Sequence, residues 1–319
     1  MQVHRDLDLL PKFKNAVVTI GTFDGVHLGH QQIIAQLKTE AAAIKGETVI
    51  ITFHPHPRMV VGTHHNIHIL TTLNEKIALL EAHGIDHLVV VPFTEAFAAQ
   101  TPKEYVRDFL VAKFQPHTVI IGYDHRFGKG RKGDYHLLEN NGKVFGFEVK
   151  EIPEHVLDNV TISSTRIRAA LLHNDIATAD NYLGYDYFFE GTVIKGNQLG
   201  RTIGYPTANL MIENEEKLVP GNGVYAVEVT LIPNDAAPVY RSGTIYQAMM
   251  NIGNRPTVDG KKRTIEVNIF DFDQDIYGQM LRVYVKKYLR GEVKFNGLDA
   301  LKEQLAKDKI NALEELAGK

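Results

Sequence analysis

The chain has 319 residues, 44% of them hydrophobic and 23% charged, with a net charge of −3 and no cysteine. That length suggests two domains with ample cores, and the composition is that of an ordinary soluble globular protein. The lack of cysteine excludes disulfides, thiolate catalysis and thiolate metal sites; near-neutral charge gives no footprint for nucleic acid; no apolar run reaches membrane-spanning length; and residues 1–6 carry no signal-peptide pattern, so a cytoplasmic protein is expected.

Val17, Val18, Thr19 and Ile20 are β-favouring and read as a short buried strand. Gly21 and Gly25 then permit a tight turn and close approach of a ligand to the backbone. From His30 the apolar residues Ile33, Ile34, Leu37, Ala41 and Ile44 recur at helical spacing, and Gly46 suits the helix end. The turn thus sits where a strand hands over to a helix. Open α/β sheets bind ligands at that edge, and the new helix N-terminus attracts phosphate. His27 and His30 share one face of the first turn and can donate hydrogen bonds to phosphate oxygens as charge builds in a transition state. Gly29 leaves space for a flat group such as a nucleotide ring. The run Gly21-Thr22-Phe23-Asp24-Gly25-Val26-His27-Leu28-Gly29-His30 resembles the H-x-G-H signature of the nucleotidylyltransferase superfamily. Its full form is similar to that of the bacterial bifunctional riboflavin kinase/FMN adenylyltransferases. The resemblance implies a Rossmann-like domain that binds ATP through Gly21, Thr22, Phe23, Asp24, Gly25, His27 and His30.

Further strands are predicted over 48–53, 87–91, 118–122 and 147–152, with helices over 74–83 and 102–114. Thr101, Pro102 and Glu104 fit an N-cap, a first-turn proline and a capping-box acid. This alternation argues for a mostly parallel, doubly wound sheet. The 52–58 run, Thr-Phe-His-Pro-His-Pro-Arg, resembles a segment in which the family usually has an acid at the His54 position. His64, His65 and His68 lack metal-ligand spacing and read as a solvated loop. The glycine-rich, basic stretch over 122–134 resembles the family's G-x-D-F-R-F-G loop. That likeness implies flavin or nucleotide contacts from Asp124, Arg126 and Phe127, with His125 standing where the family usually has Phe. Ser163, Ser164 and Thr165, followed by Arg166 and Arg168, look like a capped helix start able to hold a triphosphate. The run matches the family's I-S-S-T-x-I-R motif, which implies roles for Ser163, Ser164, Thr165 and Arg168 in binding ATP and, for Ser164 and Arg168, in catalysis.

The pattern changes near Gly184. Strands over 187–194, 223–232, 243–252, 264–270 and 280–289 suggest a small antiparallel barrel, with an amphipathic terminal helix carrying Leu298, Leu301, Leu305, Ile310 and Leu313. In the 191–210 run, repeated glycines suit a flap over phosphates, and Thr207 and Asn209 offer the neutral oxygens that suit Mg²⁺ beside nucleotide phosphates. The G-R-x-x-G-x-P-T-A-N portion resembles the riboflavin kinase signature, implying ATP contacts from Gly196, Gly200, Arg201, Gly204, Thr207 and Asn209. Along 264–269 polar and apolar residues alternate, so Ile265 and Val267 face one way and Glu266 the other. The family's catalytic glutamate lies in a segment matching 266–278, and 251–257 matches the family's N-x-G-x-R-P-T.

The resemblance covers nearly the whole chain in the expected order. It implies an FMN adenylyltransferase domain over 1–184 and a riboflavin kinase domain over 185–319. The expected chemistry is phosphorylation of riboflavin to FMN and adenylylation of FMN to FAD, with ATP as co-substrate and Mg²⁺ as cofactor. Expected partners are these small molecules, without nucleic acid or membrane. Other readings are a nucleotidylyltransferase for another small phosphate, a flavin-sensing module without turnover, and a partner RNA.

Overall fold

The computed structural model describes residues 1–61, 67–123, 125–152, 162–196, 199–233, 239–241, 243–257 and 260–318. It divides into two compact units, Met1–Ile69 with Leu73–Ser163, and Leu70–Thr72 with Ser164–Lys319.

The first unit is built on a sheet of strands β1 (Gln2–His4), β2 (Val17–Ile20), β3 (Thr48–His54), β4 (His87–Pro92), β5 (Thr118–Gly122) and β6 (Glu148–Ile152). Their order is β1-β4-β3-β2-β5-β6, and every pairing is parallel. All four residues of β2 are buried, as expected of a strand covered on both faces. β2 lies between β3 and β5, so the strand order reverses at β2. The loop leaving β2 therefore emerges at the topological switch point, where such sheets bind ligands. The Leu28–Ala43 and Leu73–Ala82 helices lie near their expected positions.

Several elements of this unit differ from the sequence reading, among them short helices at Pro57–Val61 and Glu95–Ala98. Thr101 and Glu104 do form the capping box, but the helix it starts winds as a π-helix over Tyr105–Val111 before resuming its α form. The three-residue edge strand β1 is too short to leave a pattern. The Tyr135–Phe145 helix, capped by Asp134 on the Leu137 N–H and ended by left-handed Gly146, was hidden by its Asn140-Asn141-Gly142 core, which reads as loop chemistry. Gly142 is there for space: a Cβ would lie 2.5 Å from the Phe147 carbonyl oxygen.

The second unit contains a closed barrel of β7 (Phe188–Ile194), β8 (Ala208–Met211), β9 (Gly223–Ile232), β10 (Tyr246–Thr257), β11 (Gly260–Ile269) and β12 (Met280–Arg290), in the order β10-β11-β8-β7-β12-β9 and antiparallel throughout. β10 and β11 pair out to Thr257 and Gly260, well beyond the expected 252 and 264. Ladder bonds are made by backbone, so the polar, proline-bearing residues there do not stop the pairing. The Leu298–Ala317 helix covers part of the wall through Ala312 and Leu316, against Ala226, Met249 and Phe270. The Ser164–Leu172 and Ile176–Leu183 helices also pack in this unit, upstream of the pattern change at Gly184.

Candidate active sites

In the first unit, the residues after β2 form a turn fastened on all sides. The Gly21 N–H donates to the Ile51 carbonyl at 3.0 Å, and the Gln31 side-chain amide donates to the Val26 carbonyl at 2.9 Å. Gly25 has φ +85°, which glycine adopts freely, but Phe23 at +46° and Val26 at +37° are forced into the same left-handed region. His27 occupies the N-cap position of the Leu28–Ala43 helix. Its ring stacks on that of His30 at 3.7 Å between centroids, and Phe23 packs on His30 at 4.9 Å. A Cβ at Gly29 would meet the His27 ring at 3.3 Å, so the space that glycine leaves is taken by His27 rather than left for a nucleotide ring. Burial, then the neighbouring His27 and Lys76, holds His30 well below the ordinary imidazole range. It is neutral at pH 7 and can donate one hydrogen bond.

Asp24 is 2% exposed, and the nearby Lys76 is 6% exposed. The Lys76 ammonium donates to the Thr22 carbonyl at 2.6 Å and reaches Thr52 Oγ1 at 3.4 Å. Nothing in the sequence sets Lys76 apart from an ordinary helix lysine; only the burial of every residue over 75–80 does so.

Arg126 pairs with Asp134 at 3.3 Å, while Phe127 is buried with its ring 5.1 Å from that of Tyr105. His125 stacks loosely on Phe127, centroids 5.9 Å apart. Asp124, His64 and His65 lie outside the described residues, and His54 and His68 are exposed. Ser163 closes the first unit, whereas Ser164, Thr165 and Arg168 begin the second on the Ser164–Leu172 helix.

In the barrel, strand register builds the site. Glu266 on β11 pairs with Asn209 on β8 and with Asn251 on β10. Directly opposed residues share a face, so a row Asn209–Glu266–Asn251 crosses three strands. Ile265 and Val267 are buried on the other face, at 6% and 0% exposure. A pocket of about 240 Å³ is lined by Glu266 with Gly200, Thr207, Asn251, Asn268 and, from the terminal helix, Asp308. Asn268 donates to the Pro206 carbonyl at 2.7 Å, which ties the Pro-Thr turn to β11. Gly196 and Gly200 are needed for space beside this row: a Cβ at Gly196 would lie 2.3 Å from the Asn209 amide nitrogen, and one at Gly200 would lie 2.1 Å from the Tyr205 carbonyl oxygen. Arg201 and Gly204 are exposed and do not line the pocket. Hydroxyl, amide oxygen and carboxylate make a hard donor set that fits Mg²⁺. Asn251, Asn268 and Asp308 were not singled out as site residues by sequence reasoning, although the register of Asn251 against Glu266 follows once the β10–β11 hairpin is drawn.

Both motif sets have counterparts in known proteins. Residues 10–166 match the family model for FAD synthetase, and residues 183–316 match that for riboflavin kinase. The bifunctional riboflavin kinase/FMN adenylyltransferase of Escherichia coli (strain K12) is 36% identical, the alignment covering 94% of this chain and 93% of that one. The protein of the same name from Bacillus subtilis (strain 168) is 39% identical over 93% and 92% of the two chains. Among solved structures, one described as a macrolide-efflux protein from Streptococcus pneumoniae superposes with a TM-score of 0.84 at 32% identity over 97% of each chain. Among the described residues of this chain, no helix is long and apolar enough to cross a membrane. With a histidine-bearing turn at the switch point of one unit, a glutamate pocket on the barrel of the other, and relatives matched over more than nine tenths of both chains, the chain belongs to the bifunctional riboflavin kinase/FMN adenylyltransferase family.

Proposed function

We propose that this chain phosphorylates riboflavin to FMN at the barrel and adenylylates FMN to FAD at the first unit, with ATP as donor in both steps. The observation that carries the reading is the register of Glu266 between Asn209 and Asn251, with Glu266, Asn251 and Thr207 lining one pocket. In the kinase step the ribityl 5′-hydroxyl attacks the γ-phosphorus, the bond from that phosphorus to the β,γ-bridging oxygen breaks, and ADP leaves. Glu266 accepts the hydroxyl proton as the new bond forms. Thr207 and Asn209 are the residues to hold Mg²⁺, which when bound would neutralise phosphate charge. Asn251 stands opposite Glu266 in register on the neighbouring strand, and Gly196, Gly200 and Gly204 are assigned to the phosphates.

In the second step an FMN phosphate oxygen attacks the α-phosphorus of ATP, and the α,β-bridging bond breaks to release pyrophosphate. The attacking group is already anionic, so no strong base is required. Positioning and charge stabilisation dominate instead, from the N–H groups of the 21–25 turn and from His27 and His30; the motif likeness assigns Ser163, Ser164, Thr165 and Arg168 to ATP in the same step. Asp124, Arg126 and Phe127 are assigned to the flavin side of this site.

Incubating the pure protein with riboflavin, ATP and Mg²⁺ and following flavins by chromatography tests the reading. FMN is expected first and FAD second, and FMN supplied directly with ATP should also give FAD. Failure of the latter rejects the adenylyltransferase half; binding of flavin without any ATP consumption rejects both and leaves a sensor.

A further inference from the structure

Phe23 and Val26 are non-glycine residues held at positive φ, one of them β-branched. Such strain persists only where the surroundings over-determine the backbone, and it gathers at ligand clamps. Here the clamp is visible. One end of the turn is tied through the Val26 carbonyl to Gln31 on the Leu28–Ala43 helix. The other end is the Thr22 carbonyl, next to strained Phe23, which receives the Lys76 ammonium at 2.6 Å and the Thr52 hydroxyl at 3.1 Å. Lys76 comes from the Leu73–Ala82 helix, whose burial leaves the side chain little freedom.

We propose that Lys76 is a positioning residue for adenylyl transfer: its ammonium fastens the Thr22 carbonyl and so holds the strained turn in the form that presents backbone N–H groups and His30 to the phosphates. The inference rests on the adenylyltransferase reading of this site. A neutral donor would satisfy one carbonyl, and an ammonium buried this deeply is expensive. Its charge therefore has a use. Asp24 from the turn faces it and partly offsets burial, which pushes Lys76 down to about 8. His30 from the Leu28–Ala43 helix is kept neutral by burial first, then by His27 and by the repulsion of Lys76. β3 contributes Thr52, which does not titrate, and the lysine's own helix contributes the buried Glu75. At short range in a water-poor site, the same positive charge favours a bound polyphosphate.

Lys76→Met and Lys76→Gln in the full chain separate the contributions. The Met variant loses both donor and charge and is expected to form FAD from FMN and ATP about tenfold more slowly or worse, since ångström-scale misplacement costs up to about a hundredfold. The Gln variant keeps a donor for Thr22 and is expected to recover part of that loss. In both, loss of a nearby positive charge makes His30 easier to protonate. The acid limb of FAD formation, and the His30 imidazole titration followed by NMR, should therefore move to higher pH. Riboflavin phosphorylation should stay within about twofold of wild type, as expected of a separate site. Equal FAD rates in all three proteins, or a slow Met variant with no gain in Gln and an unmoved His30 titration, would overturn the proposal and leave Lys76 as packing. If the wild-type chain makes no FAD at all, the reaction assignment fails, and the His30 titration alone decides whether Lys76 sets that ring.

Discussion

Glu266 owes its position to two simple facts about strands. Alternation sends Ile265 and Val267 to the buried face and Glu266 to the other, and register sets it between Asn209 and Asn251. Glu266→Gln keeps size and hydrogen-bonding reach but removes the basic carboxylate. Riboflavin phosphorylation should fall by about 10²–10⁴, the usual worth of general-base assistance, while FAD formation from added FMN stays near wild type. His30→Ala should do the reverse, slowing FAD formation by about 10² or more and sparing FMN formation, because a preorganised donor is lost from the other site. Separate assays from riboflavin and from FMN check both, and a variant that depresses both activities equally would instead point to misfolding. Glu266 and the two histidines were legible in sequence because period and motif agree on them. Lys76 was not, because a lysine on an amphipathic helix looks solvated until the packing of the neighbouring turn is known.

Elements were legible in proportion to how much of their stability is local. Capping chemistry at Thr101 and Glu104 and the existence of the terminal helix could be read directly, since each depends on nearby residues, but of the apolar residues expected on its buried face Leu298 and Ile310 are exposed, and Ala312 and Leu316 are buried instead. The reach of β10 and β11, the π winding over Tyr105–Val111 and the Gly142-bearing helix could not, because tertiary contacts decide them. The terminal helix illustrates the difference. Its apolar face predicts that it caps the barrel, but its seat is fixed by an ion pair with no sequence signature. Asp308 is 1% exposed and takes a bidentate grip from Arg290 at 2.8 and 2.6 Å, with the Gln304 amide donating to it at 2.9 Å. Both partners also line the Glu266 pocket. Asp308→Ala leaves a mostly buried guanidinium without its carboxylate and is expected to cost about 3–5 kcal/mol in denaturant unfolding of the barrel. Under native conditions the same variant should raise the KM for riboflavin. Unchanged KM with lowered stability would mean that the latch holds the helix but does not shape the pocket.

For the whole molecule, the change of pattern at Gly184 is plain in the sequence, yet the division by packing falls at Ser163–Ser164. Both intervening helices fall inside the expected 1–184 domain, and only the first was expected, from its Ser-Ser-Thr start; a capped helix start shows that a helix begins, not what it is buried against. Their buried residues include Ile167, Leu171, Ile176 and Leu183, and polar ties run the same way. The Tyr225 hydroxyl donates to Asn174 Oδ1 at 2.7 Å, the Tyr187 N–H to Asp180 Oδ1 at 2.8 Å, and the Gly221 N–H to the Leu171 carbonyl at 3.2 Å. Lys217, 4% exposed, donates to the Phe188 carbonyl at 2.9 Å and to the Leu70 carbonyl at 2.6 Å, which explains why Leu70–Thr72 groups with the barrel. The residues proposed for phosphoryl transfer all lie between Gly196 and Asp308, and we propose a catalytic kinase domain that starts at Tyr185. Two fragments test this. The piece from Tyr185 onward should fold and phosphorylate riboflavin, since it keeps the closed barrel and the Glu266 row. The piece from Ser164 onward should do the same and melt higher by about 5 °C or more, because it restores the Asn174 and Asp180 side chains as acceptors and buries the helix pair. Both lack the Leu70 carbonyl, so the comparison isolates the helices. A folded but inactive shorter piece beside an active longer one would move the kinase boundary to Ser164.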